Sequence, residues 1–212
     1  SKEILLGSSA QGGFYNSAVE QSVRFNDDSS DYLVDIPADG NRRKFTIAVW
    51  IKRGNLDGKN VGGSNDTHII SATDNNGTNF STLRFLSQLT SGNNVKNMLQ
   101  FYTNTSGVGD YSEEVTISFR DTAAWFPVVM AVDTEQSTAG NRIKFYVNGV
   151  QQTVVGQHYG QVPEDYDTFF NINNSGNGKH EIGRSVNDNN RYYDGYMADF
   201  NFVDGAQLTP SS

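Results

Sequence analysis

Two stretches of the sequence concentrate side chains that can bind a sugar. The longer one runs Asn187-Asp188-Asn189-Asn190-Arg191-Tyr192-Tyr193-Asp194, and the shorter one runs Asp74-Asn75-Asn76-Gly77-Thr78-Asn79. Amides and carboxylates hydrogen-bond to hydroxyl groups, and an aromatic ring can stack on the apolar face of a pyranose. Asn and Asp are also ordinary turn residues, but Arg-Tyr-Tyr is not needed for a turn and would expose large rings. We therefore predict that residues 187–194 form the ligand-binding surface, with Asp74, Asn75 and Asn76 as neighbours.

The carboxylates of the same stretches could also bind a hard cation such as Ca²⁺, which prefers oxygen ligands. Asp74 and Asp188 are the candidate metal ligands, although no complete ligand set is readable. The string Asp27-Asp28-Ser29-Ser30-Asp31 lacks the glycine and terminal glutamate of an EF-hand, so we expect a turn there. No cluster typical of a zinc site is readable. We predict that no cofactor is required and that any Ca²⁺ site is weak.

Catalytic groups are not recognisable in the sequence. Hydrolysis of a glycosidic bond requires two carboxylates about 5 to 9 Å apart. Glu113 and Glu114 are adjacent and would point to opposite faces of a strand, and Asp165-Tyr166-Asp167 has no third partner. No Gly-x-Ser-x-Gly motif and no cysteine is present. Of the three histidines, one opens a predicted strand and another precedes one, which indicates surface or capping roles for His68 and His180, and the third is His158. We predict that the protein is not an enzyme.

The composition indicates an all-β protein. The chain has 212 residues, of which 36% are hydrophobic, only 19% are charged and 21 are glycine. Its 13 phenylalanines and 10 tyrosines, together with many β-branched residues, favour strands. The net charge of −8 and the scattered basic residues argue against nucleic-acid binding. The absence of an apolar run of about 18 residues argues against membrane insertion.

Short apolar runs separated by turn residues predict about a dozen strands. Alternation is clearest in residues 45–52, which place four apolar side chains on one face: Phe45, Ile47, Val49 and Ile51. Asn148-Gly149 lies between two such runs and predicts a type I′ hairpin, after which residues 150–155 run back. Trp50 and Trp125 are expected in the core.

The chain shows no internal repeat and no break in composition that would mark a second domain. We therefore predict one antiparallel sandwich of two sheets over residues 21–212, preceded by a lead-in segment over residues 1–20.

The order of several segments resembles a known family. These segments are, in chain order, Ser22-Val23-Arg24-Phe25, residues 45–53, Arg142 to Val150, Ile182-Gly183-Arg184 and Asp194-Gly195-Tyr196-Met197-Ala198-Asp199-Phe200. They resemble the LamG-like jelly-roll domains of the concanavalin A-like lectin/glucanase superfamily, especially those of tailed-bacteriophage virion proteins. The resemblance implies an antiparallel jelly roll. It leaves the activity open, because this fold hosts binding, hydrolytic and purely structural proteins.

The function expected from these observations is non-catalytic carbohydrate binding by a host-adhesion module on a virion surface. Its partner would be a host-surface glycan, bound weakly and through several copies of the module. One alternative is a purely structural decoration domain that binds other virion proteins. A further alternative is a glycoside-active enzyme.

Overall fold

Thirteen β-strands and two short 3₁₀ turns make up the regular structure of the described residues. The computed structural model describes residues 21–56, 66–75, 77–86, 97–155 and 159–211. The strands in chain order are β1 (Val23–Phe25), β2 (Leu33–Asp35), β3 (Lys44–Arg53), β4 (Thr67–Thr73), β5 (Phe80–Leu86), β6 (Met98–Thr105), β7 (Gly109–Ser118), β8 (Phe126–Asp133), β9 (Ile143–Val147), β10 (Val150–Gln151), β11 (Val154–Val155), β12 (Lys179–Ile182) and β13 (Gly195–Asp204). The 3₁₀ turns are Ala139–Asn141 and Asn174–Gly176. The predicted lead-in segment, Asn76 and His158 lie outside the described residues.

The strands form two antiparallel sheets. The six-stranded sheet has the order β1-β13-β3-β8-β9-β10, and the seven-stranded sheet has the order β11-β7-β6-β5-β4-β12-β2. The predicted all-β, two-sheet antiparallel sandwich is confirmed. None of the described residues forms a helix long and apolar enough to cross a membrane.

The core lies between the two sheets, and the period-two alternation of β3 explains how it is filled. Phe45, Ile47, Val49 and Ile51 are each at most 1% exposed and belong to one cluster, as their spacing predicts. The C-terminal segment covers part of the opposite face of β3. There the Thr46 hydroxyl donates to the carbonyl of Ala206 (2.7 Å) and accepts from the amide of Leu208 (2.8 Å).

The hairpin between β9 and β10 has the predicted turn. Asn148 and Gly149 have φ angles of 51° and 76°, and Val147 pairs with Val150 across the turn. Positive φ at both central residues is what a type I′ turn requires. Residues 150–155, however, do not form one strand, because β10 pairs with β9 whereas β11 pairs with β7 in the other sheet. The chain therefore crosses the edge of the sandwich at residues 152–153.

Both tryptophans lie on the outer side of the six-stranded sheet, so the prediction that they belong to the core between the sheets is wrong. Trp50 alternates with the core residues Val49 and Ile51 along β3 and therefore faces away from them. Trp125 precedes β8, is 37% exposed and packs against Tyr196 with ring centroids 6.2 Å apart.

Candidate functional site

The longer predicted binding stretch connects β12 to β13 and folds over the outer face of the seven-stranded sheet. It is fastened there by Ser71, whose neighbours in β4 point into the core. The Ser71 hydroxyl donates to the carbonyl of Arg184 (2.7 Å) and accepts from the amide of Val186 (2.9 Å). Val186 in turn packs with Phe80 and Tyr102 in a small cluster apart from the main core. The loop thus starts from a fixed position on the sheet.

The structure brings the two predicted stretches together. Gly77 has a φ of +82°, and a Cβ at this position would lie 2.4 Å from the carbonyl oxygen of Val186 and 2.9 Å from the Cα of Asn187. Only glycine permits so close an approach with that backbone conformation. Asp74 is half-buried and Asn75 is exposed beside this contact. The two stretches form one continuous surface, as the sequence predicts.

The exposed part of the longer stretch is its first half. Asn187, Asp188 and Asn189 are exposed, and the next three residues are half-buried: Asn190, Arg191 and Tyr192. The Arg191 guanidinium lies 2.9 Å from the Asp188 carboxylate. The backbone is held by a hydrogen bond from the Ser185 amide to the Asn190 carbonyl (2.9 Å) and by one from the His68 amide to the Arg191 carbonyl (3.2 Å). The loop therefore presents amides and one ion pair on a constrained backbone.

The last two residues of the stretch are structural, and this corrects the prediction for Tyr193 and Asp194. Tyr193 is fully buried, its hydroxyl donates to the carbonyl of Lys52 (3.0 Å), and its ring packs edge-on against Phe25 with centroids 6.2 Å apart. Asp194 is 6% exposed and lies 3.1 Å from the guanidinium of Arg24. Both residues lie where the chain returns to the sandwich to begin β13, so neither can contact a ligand at the surface.

Tyr32 completes the surface and is not among the site residues predicted from the sequence. Tyr32 precedes β2 and is 38% exposed, and its ring centroid lies 6.3 Å from that of Tyr192 at an interplanar angle of 57°. We call Tyr32, Tyr192 and residues 187–191 together the Tyr32–Tyr192 surface. About 160 residues separate the two rings in the sequence, and only the pairing of β2 with β12 joins them. The one signal in the sequence is a tyrosine at the turn before a short strand.

The Tyr32 ring is held from beneath by a charged pair. The Arg184 guanidinium carbon lies 3.5 Å from the ring centroid, and the same guanidinium forms two hydrogen bonds with the Glu181 carboxylate, of 2.5 and 2.8 Å. Lys179 lies 2.8 Å from Glu181 as well. Burial tends to raise the pKa of Glu181, but the hydrogen bonds from Arg184 and Lys179 outweigh it and lower that pKa. A bidentate pair with a cation stacked on the ring restricts both side chains.

A row of buried polar side chains supports the loop from the outer face of the sheet. Arg84 donates to Gln100 (2.6 Å) and lies 3.1 Å from Asp66. Gln100 donates to Glu114 (2.6 Å), which also accepts from Ser112 (2.7 Å). These residues connect β5, β6, β7 and the residue before β4 by side chains in addition to the backbone ladders, which restrains the sheet under the loop.

The predicted surface or capping roles of the two described histidines are wrong. His68 is fully buried beneath the loop, and its Nδ1 lies 2.9 Å from the Thr82 hydroxyl. Burial, and then the charges of Arg84 and Arg191, hold the pKa of His68 well below its ordinary value. His180 is 6% exposed and stacks on Phe202. Burial lowers the pKa of His180 to about 4, so both imidazoles are neutral at physiological pH.

Glu113 and Glu114 face opposite sides of the seven-stranded sheet, as their adjacency predicts. Glu114 opposes Gln100 on the outer face, whereas Glu113 opposes the core residue Phe101 and accepts a hydrogen bond from the Val162 amide (3.2 Å). They therefore do not face each other across a common cleft.

The candidate metal ligands are engaged by protein groups. Asp188 pairs with Arg191, and Asp74 accepts a hydrogen bond from the Asn79 amide (3.0 Å). Within the described ranges there is no group of three or more histidine, aspartate or glutamate side chains that could hold a metal ion. Residues 27–30 form a turn, as expected. A weak Ca²⁺ site stays a prediction without a visible ligand set.

Comparison with known proteins assigns the chain to a family. The laminin G-type model of the concanavalin A-like lectin/glucanases superfamily matches residues 26–211. No curated protein sequence matches the chain.

Several solved structures share the fold at low sequence identity. NanB in complex with Optactamide is 11% identical with a TM-score of 0.54, and the match covers 89% of this chain and 26% of that one. Domains LG4-5 of the mouse laminin alpha1 chain are 13% identical with a TM-score of 0.52, and the match covers 97% of this chain and 48% of that one. Tailspike protein 2 of an Escherichia coli O157:H7 bacteriophage is 11% identical with a TM-score of 0.54, and the match covers 87% of this chain and 23% of that one. The chain thus spans about a quarter to a half of the length of these structures.

Proposed function

We propose that this chain, which belongs to the concanavalin A-like lectin/glucanase superfamily, is a non-catalytic carbohydrate-binding module. The ligand contacts the Tyr32–Tyr192 surface. The observation that carries the proposal is the pair of partly exposed tyrosine rings beside a loop of exposed amides. Aromatic rings supply contact area to the apolar face of a sugar, while the amides and the Asp188–Arg191 pair can exchange hydrogen bonds with its hydroxyl groups.

Preorganisation supports this function. The Tyr32 ring is held by Arg184, and the loop backbone is bonded to β4 and to its own first residues. A ligand therefore does not have to order these groups, which lowers the entropic cost of binding. Binding groups on loops that are positioned by a rigid scaffold are the usual arrangement in β-sandwiches.

Adhesion to a host-surface glycan at a virion surface is the finer part of the proposal. It is supported by the resemblance of residues 194–200 to phage virion proteins and by the fold shared with a bacteriophage tailspike. Exposed sugar contacts contribute about 1 kcal/mol each, so useful affinity comes from several copies in an assembly.

A structural decoration domain that binds other virion proteins is the second candidate, and one observation favours it. Apolar side chains are exposed along β1 and β2, at the edge of both sheets: Val23 49%, Leu33 48% and Val34 53%. A sheet edge with exposed apolar residues can pair with another protein chain.

A glycan array followed by titration of the best glycan distinguishes the two candidates. We expect wild-type binding on the array and a loss of at least about tenfold in affinity for the Tyr32→Ala/Tyr192→Ala double variant. The variant loses two stacking contacts of about 1 kcal/mol each, and about 1.4 kcal/mol corresponds to a factor of ten. The melting temperature should change by only a few degrees. The matched control is Tyr196→Ala, which removes a ring that is also 38% exposed but lies on the other sheet. Unchanged binding by the double variant, or no glycan bound on the array, would favour the decoration domain.

A further inference from the structure

A polar pocket lies at the edge of the sandwich opposite to β1 and β2. Here the chain crosses from β10 in one sheet to β11 in the other, and behind the crossing is a cavity of about 310 Å³. This is close to the lower end of the range for small-molecule sites, about 300 to 1,000 Å³. Eight of the described residues line it, and five of these have polar side chains: Glu113, Gln151, Gln152, Thr153 and Gln161.

The floor of the pocket is a carboxyl group without a charged partner among the described residues. Glu113 is 3% exposed and points between the sheets, where its carboxylate accepts the amide of Val162 (3.2 Å). Arg142 is near, but its guanidinium donates to the carbonyls of Gln136 (2.7 Å) and Val162 (2.9 Å). Burial raises the pKa of Glu113 to about 7. A buried carboxyl at the bottom of an open cleft is costly for stability, and such groups concentrate at binding sites.

We propose that this pocket binds a small uncharged ligand rich in hydroxyl groups, of the size of one or two sugar residues. Among the lining residues that the structure describes there is no lysine or arginine, so this part of the wall offers an anion no countercharge. The large apolar side chains among the described lining residues are Ile143 and Val154, so this part of the wall offers an apolar ligand little contact. Glutamine side chains both donate and accept hydrogen bonds, which matches the hydroxyl group.

The pocket is separate from the Tyr32–Tyr192 surface, because the two lie at opposite edges of the sandwich. Each can therefore bind or fail to bind without the other. If both bind, one copy of the domain contacts its ligands at two points.

Titration of the ¹⁵N-labelled chain followed by NMR tests the proposal. The uncharged probes are D-glucose, N-acetylglucosamine and maltose, and the charged probes are sulfate and ethylammonium. We expect at least one uncharged probe to bind with a dissociation constant of about a millimolar, as befits a few exposed hydrogen bonds. The shifts should be confined to the signals of the pocket, including the side-chain amides of Gln151, Gln152 and Gln161.

The variants separate the pocket from the other surface. In Gln151→Ala/Gln161→Ala the affinity should fall at least about fivefold, and this change alters exposed side chains only. In the Tyr192→Ala variant the affinity of the pocket for the same probe should stay unchanged. The proposal is overturned if no uncharged probe shifts the pocket signals, if a charged probe binds there more tightly, or if the double glutamine variant binds as wild type does. None of these outcomes decides whether the Tyr32–Tyr192 surface binds a glycan on the array. Each of the two proposals can therefore be refuted without the other.

Discussion

Replacing Glu113 by glutamine should make the protein more stable at neutral and basic pH. The folded protein keeps this carboxyl buried, and burial raises its pKa from 4.5 to about 7. Glutamine has nearly the same shape, and its carbonyl oxygen can still accept the Val162 amide hydrogen bond. The substitution therefore removes the charge with little change in packing.

The magnitude follows from the rise in pKa. One pKa unit corresponds to about 1.4 kcal/mol, so a rise from 4.5 to about 7 gives a cost of about 3 kcal/mol. The sign is fixed because the folded state holds the proton more tightly than the unfolded chain does. The cost is absent below pH 4.5, grows as the pH rises, and is complete above about pH 7. Raised pKa values of other groups, such as Asp27, affect wild type and variant alike.

Urea unfolding at pH 5, 6, 7 and 8 measures this difference. The stability gained by Glu113→Gln over wild type should grow by about 2 kcal/mol between pH 5 and pH 8, and a gain of this size corresponds to roughly 4 to 8 °C in melting temperature for a chain of this length. Glu135→Gln removes a carboxylate whose side chain is 46% exposed and serves as the control, with a difference that should vary by less than about 0.5 kcal/mol over the same range. A difference for Glu113→Gln that does not depend on pH would refute the reasoning.

Two further substitutions test the hairpin and the corrected part of the binding stretch. Gly149→Val should destabilise the protein by roughly 1 to 3 kcal/mol, because the residue has a φ of +76°. No described atom beyond the residue and its two chain neighbours lies within 4 Å of the new Cβ, which leaves backbone strain as the cause. Unchanged thermal melting would contradict the turn type. Tyr193→Ala should lower the free energy of unfolding by roughly 3 to 5 kcal/mol because the ring is fully buried. Tyr193→Phe loses only the hydrogen bond to Lys52 and should lower it by about 1 kcal/mol. Equal effects of the two variants in urea unfolding would show that burial of the ring does not stabilise the protein.

The fold could be predicted because its signals are local. The alternation of residues 45–52 places the core face of β3 without knowledge of any partner strand, and Asn148-Gly149 specifies its own turn. The crossing at residues 152–153 could not be predicted in the same way. Val150 and Val154 have the same β propensity, and only the positions of β9 and β7 decide that they pair in different sheets.

The proposed binding surface could be assembled only in part from the sequence because its components are distant along the chain. Residues 187–191 and 74–75 are recognisable by composition, and the structure places them together through Gly77. Tyr32 belongs to the same surface only because β2 pairs with β12. No local pattern in the sequence predicts that β2 pairs with β12.

Adjacent residues of the same type explain the remaining error. In extended chain, neighbouring side chains point to opposite sides, so two tyrosines in a row cannot both lie on one surface. Tyr193 lies two residues before β13 and points into the core, which leaves Tyr192 half-buried at the surface. The same reasoning applied to Glu113 and Glu114 gave the correct prediction that they point to opposite faces. Since one carboxylate is thereby forced between the sheets, this alternation creates the buried acid of the edge pocket, just as it limits the Tyr32–Tyr192 surface to one ring from the loop.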